Sequence, residues 1–562
     1  MDFTFKTFSF ETFEDLKPYF DELLSRTIQT LEDTKQWVKD YDQFSSHIQE
    51  DVNRRYVKQS CDTTDEAAKK RYLDFVSLIG PKLQEVDDAM NKKIVSLPYI
   101  NELKSSDKAY EIWLRWIEKA LEMYREENIP LQTTISEKSN IYGDISGAMN
   151  VEVNGQILTL QQATKLVDTP DRDVRKSIYE KIWGRRLQDK DTLDWLLTDL
   201  IELRNQVAKN AWYESFVEYQ WDAYNRFDYT QQDVFNFHAW VKQNIVPIVT
   251  MFHKIRQEKL WLESLKSYDL WAPTKDERLL RPFATWEELL EKTISCMKDL
   301  HPQFAENLIT MKSMNRFDLD SRPGKSPGGY NSSMPVTGYS FIFMNAAGLH
   351  RDVETLVHEA WHGFHSHYSD AIEMSCFNHY PMEMAEVASM SMELLTMDWW
   401  KYFYNNTEDL KKAQIEQLEW SLSTLCWVAT IDSFQYWLYK NPTHTIAERD
   451  EKFKALLTEY QPWIDYTWME DIQAKRRQSQ LHIFEVPFYY IEYGIAQLWS
   501  YGVWKNYKEN GQKALEQYIA ALKLGYTRPL PELYKIAWIE FNFSPEKIWS
   551  LGEFVLGEWK KL

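Results

Sequence analysis

Apolar residues recur every three to four positions from Phe13 to about Arg125, in runs such as "AYEIWLRWIEKALEMYREE", and this period predicts a series of amphipathic helices. The period then shortens. In "GAMNVEVNGQILTLQQA", Val151 and Val153 alternate with polar residues, and Ile157, Leu158 and Leu160 follow Asn154-Gly155. Asn-Gly between two short apolar runs predicts a β-hairpin near residues 149–160. Helical texture resumes after "DTP", where Thr169 is suited to cap and Pro170 to fill the first helical position. A second non-helical stretch lies between Thr310 and His350; it is rich in Gly, Pro and Ser and holds one strand candidate, Tyr339 to Met344. From Leu349 to the C-terminus the pattern is helical again. No fixed-period repeat appears, so the expected fold is mainly α with a small β element.

Composition narrows the function. The 44% hydrophobic fraction is enough to fill a large core, and the scarcity of glycine (17 in 562 residues) suits helices with few tight turns. A net charge of −20 argues against a nucleic-acid partner, which would need a basic face. The most apolar long segment, Trp420 to Tyr439, carries Ser421, Ser423, Thr424, Thr430, Asp432 and Ser433, and reads as a buried helix rather than a membrane span. The four cysteines, Cys61, Cys296, Cys376 and Cys426, are widely spaced and form no CxxC pair. With no signal-peptide pattern in "MDFTFKTFSFETFEDLKPYF", they suggest reduced thiols in a cytoplasmic protein without a membrane partner.

Chemistry concentrates in "LVHEAWHGFHSHY", which places His358, His362, His365 and His367 within ten residues. His358-Glu359-x-x-His362 is the sharp signal. Side chains four apart on a helix lie about 40° apart around its axis and one turn along it, so both imidazoles can reach one ion. Glu359 points elsewhere but can reach a metal-bound water as general base. The third ligand fixes the class of site. His365 shares the helical face, yet three ligands along one helix would surround an ion poorly; Tyr368 stands where a further histidine would make a metzincin. A carboxylate from "PMEMAEVASMSMELLTMDWW" suits better, with Glu383, Glu386 and Glu393 roughly on one face. Spacing alone does not choose between Glu383 and Glu386.

"VHEAWHGFH" followed by "MAEVASMSMELL" resembles the thimet oligopeptidase and oligoendopeptidase F family of zinc peptidases, most closely its Pz-peptidase-like bacterial branch. "GAMNVEVNGQILTLQQA", "KSPGGYNSSMPVTGYSFIFMNAAG" and "HIFEVPFYYIEYGIAQLW" look like family segments in family order, so the resemblance spans roughly residues 140 to 505. One departure is Trp361, where the family usually has glycine before the second histidine. The resemblance implies one zinc ion per chain held by His358, His362 and Glu386. It implies that His482, Tyr490 and Tyr493 contact substrate and intermediate, Tyr489 being a possible substitute for Tyr490. It also implies a helix-rich molecule with two lobes about a deep channel. We expect an N-terminal lobe over residues 1–190, interleaved with a catalytic lobe over 191–562.

The expected activity is internal cleavage of short unfolded peptides, with Glu359 as base and Tyr490 and Tyr493 on the oxyanion. His365 is expected to line the pocket, and Glu393 to orient a ligand. The strand Tyr339 to Met344, with Gly328 and Gly329 before it, is expected to pair with an extended substrate. His367 is expected to be structural. A zinc carboxypeptidase or dipeptidyl carboxypeptidase in a similar helical cleft is the alternative, and a non-catalytic peptide-binding protein has no need of Glu359.

Overall fold

The amphipathic runs are helices in the structure, a computed structural model that describes residues 3, 9–275, 277–322, 324–326, 328–369, 372–378 and 380–562. The expected hairpin forms from β1 (Asn150–Val153) and β2 (Gln156–Thr159). Asn154 and Gly155 both take positive φ, 53° and 78°, as a tight two-residue turn between twisted strands requires. A short helix, Leu160–Lys165, follows directly, and the helix expected after "DTP" starts later than its cap signal suggests, at Arg172. Asp171 is its cap, accepting the amides of Asp173 and Val174, which leaves Thr169 and Pro170 outside the helix.

The glycine-rich region holds three strands where the sequence shows one. β3 (Phe317–Asp320) runs parallel to β5 (Phe341–Ala346), and β4 (Tyr330–Ser332) runs antiparallel to it, in the order β3-β5-β4. The candidate strand Tyr339 to Met344 is thus the middle of a sheet. Both its edges already carry main-chain partners, so it cannot itself pair with a substrate; β4 has the strand edge next to Gly329.

Four helices frame the centre of the molecule: the histidine helix (His350–Ser369), the glutamate helix (Met382–Leu395), a long helix (Thr407–Lys440) and the tyrosine helix (Ile491–Asn510). Val353, Leu356, Val357, Ala360, Trp361, Phe364 and Tyr368 form the buried stripe of the histidine helix. The glutamate helix is buried nearly all round, packed between the histidine and tyrosine helices. The long helix takes in Trp420 to Tyr439 and is largely buried, as expected. Among the described residues no helix is long and apolar enough to cross a membrane, and the four cysteines are free thiols.

Among the described residues the apolar side chains gather into two large cores and a small cluster of Ile112, Tyr526 and Leu533. The second large core gathers Phe10, Leu16, Trp37, Phe44 and other residues up to Ile117, and also Met374 and Phe377 from the connection between the histidine and glutamate helices. That connection is fixed by Asp42, whose carboxylate accepts the amides of Ser375 (2.8 Å) and Cys376 (2.6 Å). The N-terminal helices therefore grip the segment joining the two halves of the histidine–glutamate site.

Candidate metal centre and cavity

The histidine helix lies against the sheet on one side and presents Thr355, His358 and Glu359 to a cavity of about 470 Å³ on another. Its approach to the sheet is close. Asn331 donates to the carbonyl of Glu359 (3.0 Å), and a β-carbon at Gly363 would lie 2.8 Å from Ser340 Oγ. Any side chain there would push Ser340 and Asn331 aside, and the position is one residue after His362. Trp361 points away from the cavity into the main core, edge-on to Phe304 and stacked with Tyr518. The residue that departs from the family pattern thus fills space behind the helix.

His358, His362 and Glu386 converge, with one ligand atom of each within 4.8 Å of the others. The two Nε2 atoms face each other at 3.3 Å, and Glu386 Oε2 lies 3.4 Å from His358 Nε2 and 3.7 Å from His362 Nε2. Glu383 is elsewhere, buried beside Arg226 and Tyr229, so the structure brings Glu386 and not Glu383 to the histidines. Glu393 accepts from His358 Nδ1 (2.8 Å) and is itself held by Gln417 Nε2 (2.8 Å). That contact fixes the imidazole so that Nε2 faces the cluster. Tyr489 does not face the cavity as a substrate contact; its hydroxyl donates to Glu386 Oε1 (2.8 Å). Tyr490, Tyr493 and His482 do line the cavity. His482 Nε2 is 3.5 Å from the Tyr493 hydroxyl, and Gln480 holds its Nδ1 at 2.7 Å.

The remaining positions separate. His365 is wholly buried, stacked on Tyr380 with ring centroids 3.7 Å apart, and does not line the cavity as expected. One more helical turn carries it past the opening and under Tyr380. His367 stacks on Tyr339 with ring centroids 4.3 Å apart. Gly329 lines the cavity, where a β-carbon would be 3.4 Å from the carbonyl of Phe343. Gly328 has φ +96° and its carbonyl accepts from Asn345.

Electrostatics fit a cation. Burial raises the cost of charge on Glu386, yet His358, His362 and Tyr489 together hold its carboxyl down to about 2. Burial opposes a proton on His358, but hydrogen bonds to Glu386 and Glu393 outweigh it and raise its pKa well above the ordinary value. His362 is pushed down to about 4 by burial and so offers a lone pair. A divalent cation held there would stand in for the proton at His358 and face the Glu386 carboxylate. Two imidazoles and one carboxylate are the donor set that borderline-soft Zn²⁺ takes when a position is left open for water or substrate. Burial, with Glu386 and Glu393 near, pushes Glu359 up to about 7, in the range of a working proton acceptor.

The sequence matches the model of peptidase family M3 over residues 165–547 and that of the peptidase M3 N-terminal domain over residues 4–124. It is 24% identical to an oligoendopeptidase F homolog of Borreliella burgdorferi over 94% of this chain and 89% of that protein. It is 23% identical to oligopeptidase PepF of Bacillus subtilis over 74% of this chain and 63% of that one. The solved structure of PZ peptidase A with an inhibitor superposes with a TM-score of 0.94 at 26% identity, covering 100% of this chain and 99% of that one.

Proposed function

The chain belongs to peptidase family M3 and is a metallopeptidase of the oligoendopeptidase class, and from that premise we propose that it cleaves internal bonds of oligopeptides with Zn²⁺ held by His358, His362 and Glu386. The observation that carries this reading is the convergence of those three side chains, with His358 and the neighbouring Glu359 on the cavity wall. Zn²⁺ bound there would polarise the scissile carbonyl and acidify a water.

The side chains divide the remaining work. Glu393 and Gln417 keep His358 oriented, and Tyr489 restrains Glu386. Glu359 takes the proton of the attacking water and returns it to the leaving amine. Burial holds the phenols of Tyr490 and Tyr493 protonated well past neutral pH, so they remain donors to an oxyanion. His482, pushed down to about 4 by burial, is neutral and can accept from Tyr493 or bind the peptide. The β4 edge and Gly329 supply main-chain groups for an extended substrate. Four free thiols suit a reducing, cytoplasmic setting.

The test is hydrolysis of an internally quenched peptide blocked at both ends, with and without chelator, by the wild type and Glu359→Gln. The reading expects cleavage by the metal-loaded wild type only. A zinc-loaded wild type that leaves such peptides intact overturns it.

A further inference from the structure

The cavity holds a cation that the catalytic reading does not use. Lys475, Arg476 and Arg477 follow one another where the helix Glu470–Lys475 tightens into a short turn. Lys475 and Arg477 are buried and share two carboxylates, Asp194 and Asp450, so that pair of cations is balanced. Arg476, between them, points the other way. It lines the cavity with its guanidinium 4.8 Å from the centre of the Trp427 ring, and Nη1 donates to the Tyr466 hydroxyl (2.7 Å) and Gln461 Oε1 (3.4 Å).

Among the described residues no carboxylate lies within ion-pair distance of Arg476, and its Nε and Nη2 donate to no protein atom. The contrast is Arg351, also on the cavity wall, which is paired with Glu354 at 2.7 Å and rests on Trp420. A guanidinium taken partly out of water without a counter-ion is costly, whereas a planar fork with free N–H groups matches a carboxylate. Trp427 also ties this wall to the catalytic segment. Its Nε1 donates to Gln480 Oε1 (2.9 Å), and Gln480 holds His482 (2.7 Å).

We propose that Arg476 is a specificity-determining residue that receives a carboxylate of the bound peptide, so that the favoured substrates are oligopeptides carrying an acidic side chain or a free C-terminus within reach of this wall. Trp427 and Trp463 line the same cavity. The inference rests on the peptidase reading for the identity of the ligand.

The test uses full-length zinc-loaded enzyme and matched quenched peptides: free acid against amide at the C-terminus, and Glu against Gln scanned through the positions around the scissile bond. A charge-assisted contact predicts that at least one carboxylate peptide exceeds its neutral match by about 10- to 100-fold in kcat/KM. The pair that shows the preference identifies the source of the carboxylate. Arg476→Gln collapses that ratio to near one, and Arg476→Lys keeps part of it, with zinc content and thermal midpoint reporting on folding. Wild-type ratios near one for every pair, or a ratio that survives Arg476→Gln, overturn the proposal. A fluorescence titration of Glu359→Gln with the same pairs separates the two readings. Selective binding that needs Arg476, without any cleavage by wild type, sinks the peptidase reading alone. Cleavage of all peptides without preference sinks the carboxylate subsite alone.

Discussion

Glu386 and Glu383 stand one turn apart on the same buried helix, yet they belong to different regions with opposite logic. Glu386 faces two imidazoles next to the cavity wall and is held ionised. Glu383 lies in a closed ionic cluster where burial raises its pKa against the opposing pull of Arg226. In that cluster Arg226 pairs with Glu492 and donates to the carbonyl of Phe488 (2.6 Å), so it fixes the backbone on either side of Tyr489 and Tyr490. The front cluster leaves lone pairs converging on a common point; the back cluster sets its charges against each other. A carboxylate on a helix therefore acquires a role from what its neighbours leave unsatisfied.

The sharpest way to break this comparison is to exchange the two fates. Glu386→Ala abolishes stoichiometric zinc, read by elemental analysis, and hydrolysis with it, whereas Glu383→Gln retains the metal. If Glu383→Gln also empties the site, the distinction between front and back clusters falls. Glu359→Gln lowers kcat by about 10²- to 10⁴-fold with zinc still bound, as expected for the loss of a general base. On the closed side, Arg226→Met strands Glu492 without its partner and costs about 3–5 kcal/mol in denaturant unfolding. A loss well under that range would mean that water reaches the cluster. The smallest effect is expected at the join between metal and scaffold, where Glu393→Gln weakens zinc affinity by about 10- to 100-fold in a competition titration.

How much of this was legible depended on the range of the interactions. The hairpin was readable because Asn154-Gly155 dictates its turn locally. The two histidines were readable because helix geometry alone brings them together. Glu383 against Glu386 was not, since the choice is made by how two helices cross; the resemblance, and not the spacing, pointed to Glu386. β3 and β4 went unseen because "FDLD" and "YNS" are too short and polar to carry an alternation. Arg476 was not legible in "KRR", because three adjacent cations do not show which of them will meet Asp194 and Asp450. His365 misled for the opposite reason: it shares the helical face of the ligands, but the cavity ends before it.

The contact between Arg226 and Phe488 joins positions 262 residues apart, and that between Tyr489 and Glu386 joins positions 103 apart. Such closures form late, since loop entropy must be met before they reward it. A chain emerging from a ribosome exposes its histidine motif well before residues 482–493 exist to complete the wall. Tyr490, Tyr493 and His482 therefore join the cavity wall only when synthesis is nearly finished.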